Sequence, residues 1–131
     1  MCNTVLSKER QMKKTILLVD NEIDVQNRYF LQAEYDVLVA HDGKEGLELF
    51  RKKSIDLIIT DIMMPNMNGY DFISEVQYIA PNQPFLFTTA KTSEQDKIYG
   101  LSLGGYDFIA KPFSLRELVL RVNNILRHLS R

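Results

Sequence analysis

Five short β-rich runs recur about every 20–30 residues: Ile16–Val19, Val37–Ala40, Ile55–Thr60, Phe85–Thr88 and Tyr106–Ala110. The first and third are aliphatic without polar alternation, the pattern of strands buried on both faces of a parallel sheet. Helical spacing fills the gaps. It is clearest at the end, where Leu115, Leu118, Val119, Val122, Ile125, Leu126 and Leu129 form one stripe. Ser114 with Glu117 reads as the capping box of that helix, and Thr92 with Gln95 as a similar start to the fourth. Tyr70, Ile73, Val76 and Gln77 outline the third, closed by Ala80-Pro81. The order is β-α five times over. It predicts an α/β fold with right-handed crossovers about a central parallel sheet.

Length and composition narrow the class. A chain of 131 residues, 45% hydrophobic and 25% charged, suits one soluble globular domain. No wholly aliphatic run exceeds four residues, against the ~18 that suggest a membrane span. Met1 to Gln11 lacks the apolar stretch of a secretory signal. The single cysteine, Cys2, excludes an internal disulfide and a Cys-rich metal site. A reducing, cytoplasmic location is the expectation. The boundaries expected are a disordered flanking tail over residues 1–13 and one domain over 14–131.

The net charge of −1 hides a division. Lys8, Arg10, Lys13 and Lys14 against Glu9 give the first 14 residues +3. Arg116, Arg121, Arg127 and Arg131 against Glu117 give residues 115–131 another +3. The centre therefore carries −7. Neither the total nor its distribution supports nucleic-acid binding by the domain as a whole.

In this topology ligands bind beyond the carboxyl ends of the strands. Asp20, Asn21 and Glu22 follow the first run, Asp61 the third, and Lys111 the fifth, while Thr88 and Thr89 end the fourth. Singly, such residues are more often helix caps, turn residues or solvated side chains. Gathered on one sheet edge, they suit a hard divalent cation held by few protein oxygens. Lys111 and Thr89 would then face an anionic phosphoryl group. A carboxylate can attack phosphorus to form an acyl phosphate, which makes Asp61 the candidate nucleophile.

Several motifs, in order and spacing, resemble the receiver domain of bacterial response regulators. They are Ile16-Leu-Leu-Val-Asp20-Asn21-Glu22, Ala40-His-Asp-Gly43, Asp56-Leu-Ile-Ile-Thr-Asp61-Ile-Met-Met-Pro65, Asn68-Gly69, Thr89-Ala90, Gly104-Gly-Tyr-Asp-Phe108 and Lys111-Pro112-Phe113. The resemblance spans about residues 14–131 and implies an open, doubly wound (βα)5 three-layer sandwich of the flavodoxin-like kind, with strand order 2-1-3-4-5. It implies phosphorylation of Asp61 by a histidine kinase or histidine phosphotransfer protein, with Mg²⁺ or Mn²⁺ held by Asp20, Asn21, Asp61 and the Met63 backbone carbonyl. Thr89 and Phe108 match the switch pair, Lys111 the phosphate-contacting lysine before a cis proline. Met63 and Lys91 match positions that tune hydrolysis. The family is a phosphoacceptor that assists its own phosphorylation, not an enzyme with a separate substrate.

Three departures carry expectations of their own. Asn21 stands where the family has a second acidic residue, so Mg²⁺ should bind more weakly, with Glu22 partly compensating through a water. Phe108 lacks the hydroxyl of the common Tyr, though its packing motion behind Thr89 should survive. The segment between Asp20 and Ala40 is about one helical turn shorter than usual, which alters the surface that phosphotransfer partners contact.

Phosphorylation should reshape the face made by the fourth helix, fifth strand and fifth helix. Lys97, Asp107, Glu117 and Arg121 resemble the charged dimer face of receivers attached to winged-helix transcription factors. Lys97 would pair with Glu117, and Asp107 with Arg121, across two protomers, or all four form a solvated rim. Tyr106 replaces an acidic residue common in that subfamily. The Arg-rich end suggests a receiver that continues into a linker. Two other classes stand beside the receiver: a degenerate receiver that only binds proteins, favoured by Asn21, and a small-ligand domain or hydrolase on the same topology. Against the last, Gly100, Gly104 and Gly105 have the wrong spacing for a nucleotide loop, and His41 and His128 lack evident catalytic partners.

Overall fold

The computed structural model describes residues 13–21, 31–89, 107–111 and 113–129. Five parallel strands, β1 (Thr15–Val19), β2 (Asp36–Ala40), β3 (Leu57–Asp61), β4 (Phe85–Thr89) and β5 (Asp107–Ala110), form one sheet in the order β2-β1-β3-β4-β5. Among the described residues the long helices are α1 (Gly43–Lys52), α2 (Gly69–Ile79) and α3 (Leu115–Leu129). These are the second, third and fifth helices expected from the sequence. The start expected for the fourth, at Thr92 and Gln95, lies outside the described residues, as do Glu22, Lys91, Lys97, Tyr106 and Pro112.

The aliphatic strand runs supply two cores because successive side chains point to opposite faces. Leu17 and Val19 of β1, Ile58 of β3 and Phe85 and Phe87 of β4 join Leu47 of α1 and Phe72, Ile73 and Val76 of α2 in one cluster. Ile16, Leu18, Leu57, Ile59, Leu86 and Ile109 face the other way, onto Leu31 and onto Leu118, Val122, Ile125 and Leu126 of α3. Helices therefore cover both faces. Of the stripe read from the sequence, Leu118, Val122, Ile125 and Leu126 form the buried face of α3.

Capping fixes where the helices start. Asp42 caps α1 by accepting the Glu45 N–H at 2.8 Å, and Asn68 caps α2 by accepting the Asp71 N–H at 2.9 Å. Ser114 Oγ accepts the Glu117 N–H at 3.0 Å, half of the expected capping box. The Glu117 carboxylate turns instead to Arg121 Nε of the next turn, at 3.3 Å. No helix among the described residues is long and apolar enough to cross a membrane.

The expected strand limits shift by one or two residues. β3 begins at Leu57 and not Ile55; just before it, the Asp56 N–H donates to the Thr15 carbonyl at 2.8 Å while the Asp56 side chain accepts the Thr15 N–H at 2.7 Å. It ends at Asp61, so the candidate nucleophile is the last residue of the strand, opposite Thr88, and does not follow it. Of the expected last strand, Asp107–Ala110 is described, and Tyr106 lies outside the described residues.

Candidate functional site

Strand order places β1 and β3 side by side at the centre of the sheet, so Asp20, just after β1, and Asp61, closing β3, meet at one edge. Both are buried, each 8% exposed. Lys111, just after β5, reaches across to both: Nζ lies 2.9 Å from Asp20 Oδ2 and 3.0 Å from Asp61 Oδ2. Burial opposes the ammonium charge, but the hydrogen bonds and charges of Asp20 and Asp61 outweigh it and hold the Lys111 pKa above its usual value. One cation thus offsets two carboxylates in a poorly solvated place.

The main chain fixes Asp61 on its other sides. Its Oδ1 accepts the Met63 N–H at 3.3 Å, and its carbonyl accepts the Thr60 hydroxyl at 2.9 Å. Gly69 lies against that carbonyl: a Cβ there would fall 2.2 Å from the Asp61 oxygen, a distance only glycine tolerates. The Gly69 N–H donates to the Ile62 carbonyl at 2.8 Å, closing the loop after β3. Asp20 is tied to the neighbouring strand by its N–H, 3.0 Å from the Ala40 carbonyl.

Of the residues predicted for the site, the structure brings together Asp20, Asp61 and Lys111, with Met63 beside them. Asn21 follows Asp20 in an exposed bend. Thr89 ends β4 in register with Ala110, and Phe108 pairs with Phe87, so the two residues predicted as the switch pair lie on adjacent strands, two register positions apart. Asp107 opens β5 opposite Leu86. Of the expected dimer-face residues, Glu117 and Arg121 pair with each other along α3. The sequence reading missed the roles of Asp42, Asn66 and Gly69. The Asp42–Glu45 spacing was the available cap signal.

The donor set suits a hard cation. Asp20 and Asp61, two buried carboxylates at one edge, are oxygen donors of the kind Mg²⁺ takes in small number while keeping its waters. Among the described residues no group of three or more His, Cys, Asp or Glu converges to form an all-protein cage.

A parallel 2-1-3-4-5 sheet with an acidic pair and a lysine at its carboxyl edge is a flavodoxin-like fold, and the comparisons specify the family. Residues 16–123 match the response regulator receiver domain family, and the chain belongs to that family. It is 44% identical over 119 residues to the response regulator SaeR of Staphylococcus aureus, an alignment covering 88% of this chain and 52% of SaeR. The chain thus spans about half the length of the curated relatives it matches. Among solved structures it resembles the non-phosphorylated HemR receiver domain of Leptospira biflexa, with a TM-score of 0.81 and 32% identity over 87% of this chain and 94% of that one. A CheX–CheY complex with beryllofluoride and Mg²⁺ from Borrelia burgdorferi shares the fold, with a TM-score of 0.78 and 24% identity over 86% of this chain and 88% of that one. Receiver domains act with histidine kinases or phosphotransfer proteins and generally bind Mg²⁺.

Proposed function

We propose that Asp61 accepts a phosphoryl group from the phosphohistidine of a kinase or phosphotransfer protein. The observation that carries this reading is the shared ammonium: Lys111 Nζ bridges Asp20 and Asp61 at 2.9 and 3.0 Å. An Asp61 carboxylate oxygen attacks phosphorus; the new O–P bond forms as the N–P bond to the donor imidazole breaks, and the bonding pair leaves with the imidazole nitrogen. Lys111 reduces the repulsion between the carboxylate and the incoming phosphoryl oxygens, and its ammonium can follow the charge onto the product. Asp20, Asn21, Asp61 and the Met63 carbonyl would hold Mg²⁺, which supplies charge neutralisation at the transferring group. Thr89 donates to a phosphoryl oxygen, and Phe108 follows it inward. The chain turns over no separate substrate.

Downstream, the added charge biases the face that includes β5 and α3. A dimer through Lys97, Asp107, Glu117 and Arg121 follows if the internal Glu117–Arg121 pair exchanges for partners on a second protomer. A beryllofluoride-treated sample that sediments as a monomer at high concentration removes that dimer.

Asn21 favours a second reading, a receiver that binds partners without being phosphorylated. One experiment separates the two. The chain is incubated with acetyl phosphate and Mg²⁺ and its intact mass measured. A gain of one phosphoryl group, absent in Asp61→Asn and with chelator, supports the phosphoacceptor. No gain in the wild type supports the binding module.

A further inference from the structure

Residues 62–68 carry the chain from Asp61 to α2 by a strained route. The Met67 N–H donates to the Pro65 carbonyl at 2.7 Å, an i to i+2 bond around Asn66, whose φ is 68°. That combination is the rarer of the two γ-turn forms, and it persists only where its surroundings over-determine it. Here the surroundings belong to the neighbouring β2–α1 turn. Asn66 Nδ2 donates to Asp42 Oδ2 at 2.9 Å, while Asp42 Oδ1 caps α1. Beside them Gly43 lies so close to Met67 that a Cβ would fall 2.9 Å from its carbonyl oxygen.

The inner end of the loop is held separately. The Gly69 N–H bonds the Ile62 carbonyl at 2.8 Å, and the Met63 N–H bonds Asp61 Oδ1 at 3.3 Å. Met63 lies between the two anchorages. Its backbone N–H is the loop group bonded to the Asp61 carboxylate.

We propose that Asn66 and Asp42 are positioning residues for phosphoryl transfer at Asp61: their hydrogen bond holds the strained turn and so fixes the Met63 backbone beside the metal and phosphoryl positions. This rests on the reading of Asp61 as the phosphoacceptor. Mg²⁺ demands near-ideal octahedral geometry, so a small displacement of one ligand carbonyl weakens binding. The roles are distinct from capping, because one oxygen of Asp42 serves the helix and the other serves the loop.

Three substitutions separate those roles. Asn66→Gly leaves the left-handed φ accessible and removes the amide. Asp42→Ser keeps a helix cap but loses the acceptor for Asn66. Asp42→Asn keeps a cap oxygen and offers an amide N–H to Asn66 Oδ1 once the Asn66 amide turns over. Mg²⁺ affinity is measured by calorimetry, and metal-free hydrogen exchange is followed at the Met63 and Ile59 amides. Asn66→Gly and Asp42→Ser should each weaken Mg²⁺ about fivefold, the effect of one modest hydrogen bond. Their double variant should lose no more, since they remove the same contact. Exchange at Met63 should quicken while Ile59 stays protected, and Asp42→Asn should match the wild type.

Unchanged Mg²⁺ affinity and Met63 exchange in both loss variants overturn the proposal, as does faster exchange at Ile59 together with Met63, which marks general destabilisation. If these variants behave as the wild type and the wild type still gains a phosphoryl group, only the positioning role fails. If the wild type gains none, the phosphoacceptor reading fails and this one with it.

Discussion

Gly69→Ala is the alanine substitution that should be tolerated least among the described glycines. An added Cβ would meet the Asp61 carbonyl oxygen at 2.2 Å, the Ile62 Cα at 2.9 Å and the Asp61 carbonyl carbon at 3.0 Å, all backbone atoms that no side-chain rotation can clear. Overpacking of this kind costs about 1–3 kcal/mol. Relief by separating the two segments would break the Gly69 N–H bond to Ile62, for about 1 kcal/mol more. Alanine's helix propensity returns less than ~1 kcal/mol at the first position of α2. The net loss is about 1–4 kcal/mol, against a typical domain stability of ~5–15 kcal/mol. For a chain of 131 residues, 3 kcal/mol lowers Tm by roughly 10 °C. Urea unfolding followed by circular dichroism measures it, with Gly46→Ala as the control. There the nearest atoms are side-chain carbons of Phe72 and Val19 at 3.1 Å, in mid-helix, so strain and propensity nearly cancel and the change stays within about 1 kcal/mol. Gly69→Ala as stable as the wild type, with the same denaturant dependence, refutes the reasoning.

Asn21→Asp adds a carboxylate at the proposed Mg²⁺ position and should tighten Mg²⁺ binding; equal affinities in calorimetric titrations of the two forms remove the idea that Asn21 weakens the site. Tyr35→Phe deletes the bond from the Tyr35 hydroxyl to Asn123 Oδ1, which ties the turn before β2 to α3, and should cost about 1 kcal/mol near neutral pH. Burial and Glu34 raise the Tyr35 pKa while Arg127 opposes them, so its stabilising contribution is complete below the ordinary phenol value of about 10 and fades as pH rises through the folded value. The gap in urea midpoint between wild type and Tyr35→Phe should therefore narrow in strong alkali. For Asp42 the sign is opposite: the Glu45 backbone N–H, then the Asn66 amide, lower its pKa, so its contribution is present above the ordinary carboxylate value of about 4 and lost as pH falls through the folded value. Asp42→Ala should trail the wild type by about 1 kcal/mol near neutral pH, and by less at low pH, in the same unfolding assay.

The elements were legible because their causes are local. Aliphatic runs such as Leu57–Asp61 and the stripe from Leu118 to Leu126 state their period and their burial directly in the residues. The site was legible to the extent that topology gathers strand ends: Asp20, Asp61 and Lys111 are far apart in sequence, and only the strand order brings them to 2.9–3.0 Å. What escaped depends on contacts between loops. Asn66 looks like an ordinary turn residue until its φ and its bond to Asp42 are seen, and Gly69 like a helix start until the Asp61 carbonyl appears against its Cα. The end of β3 was misplaced by one residue for a related reason. An aspartate closing a buried strand contradicts β propensity, and the ladder to Thr88 with the nearby Lys111 ammonium overrides it.

The central claim is that Asp61 carries the phosphoryl group, and the most direct measurement is chemical localisation. Protein treated with acetyl phosphate and Mg²⁺ is reduced with borohydride, which converts an aspartyl phosphate to homoserine, then digested and mapped by mass spectrometry. Homoserine at position 61, dependent on the donor and on Mg²⁺, is the predicted result. An unmodified Asp61, or homoserine at Asp20 in its place, contradicts the account.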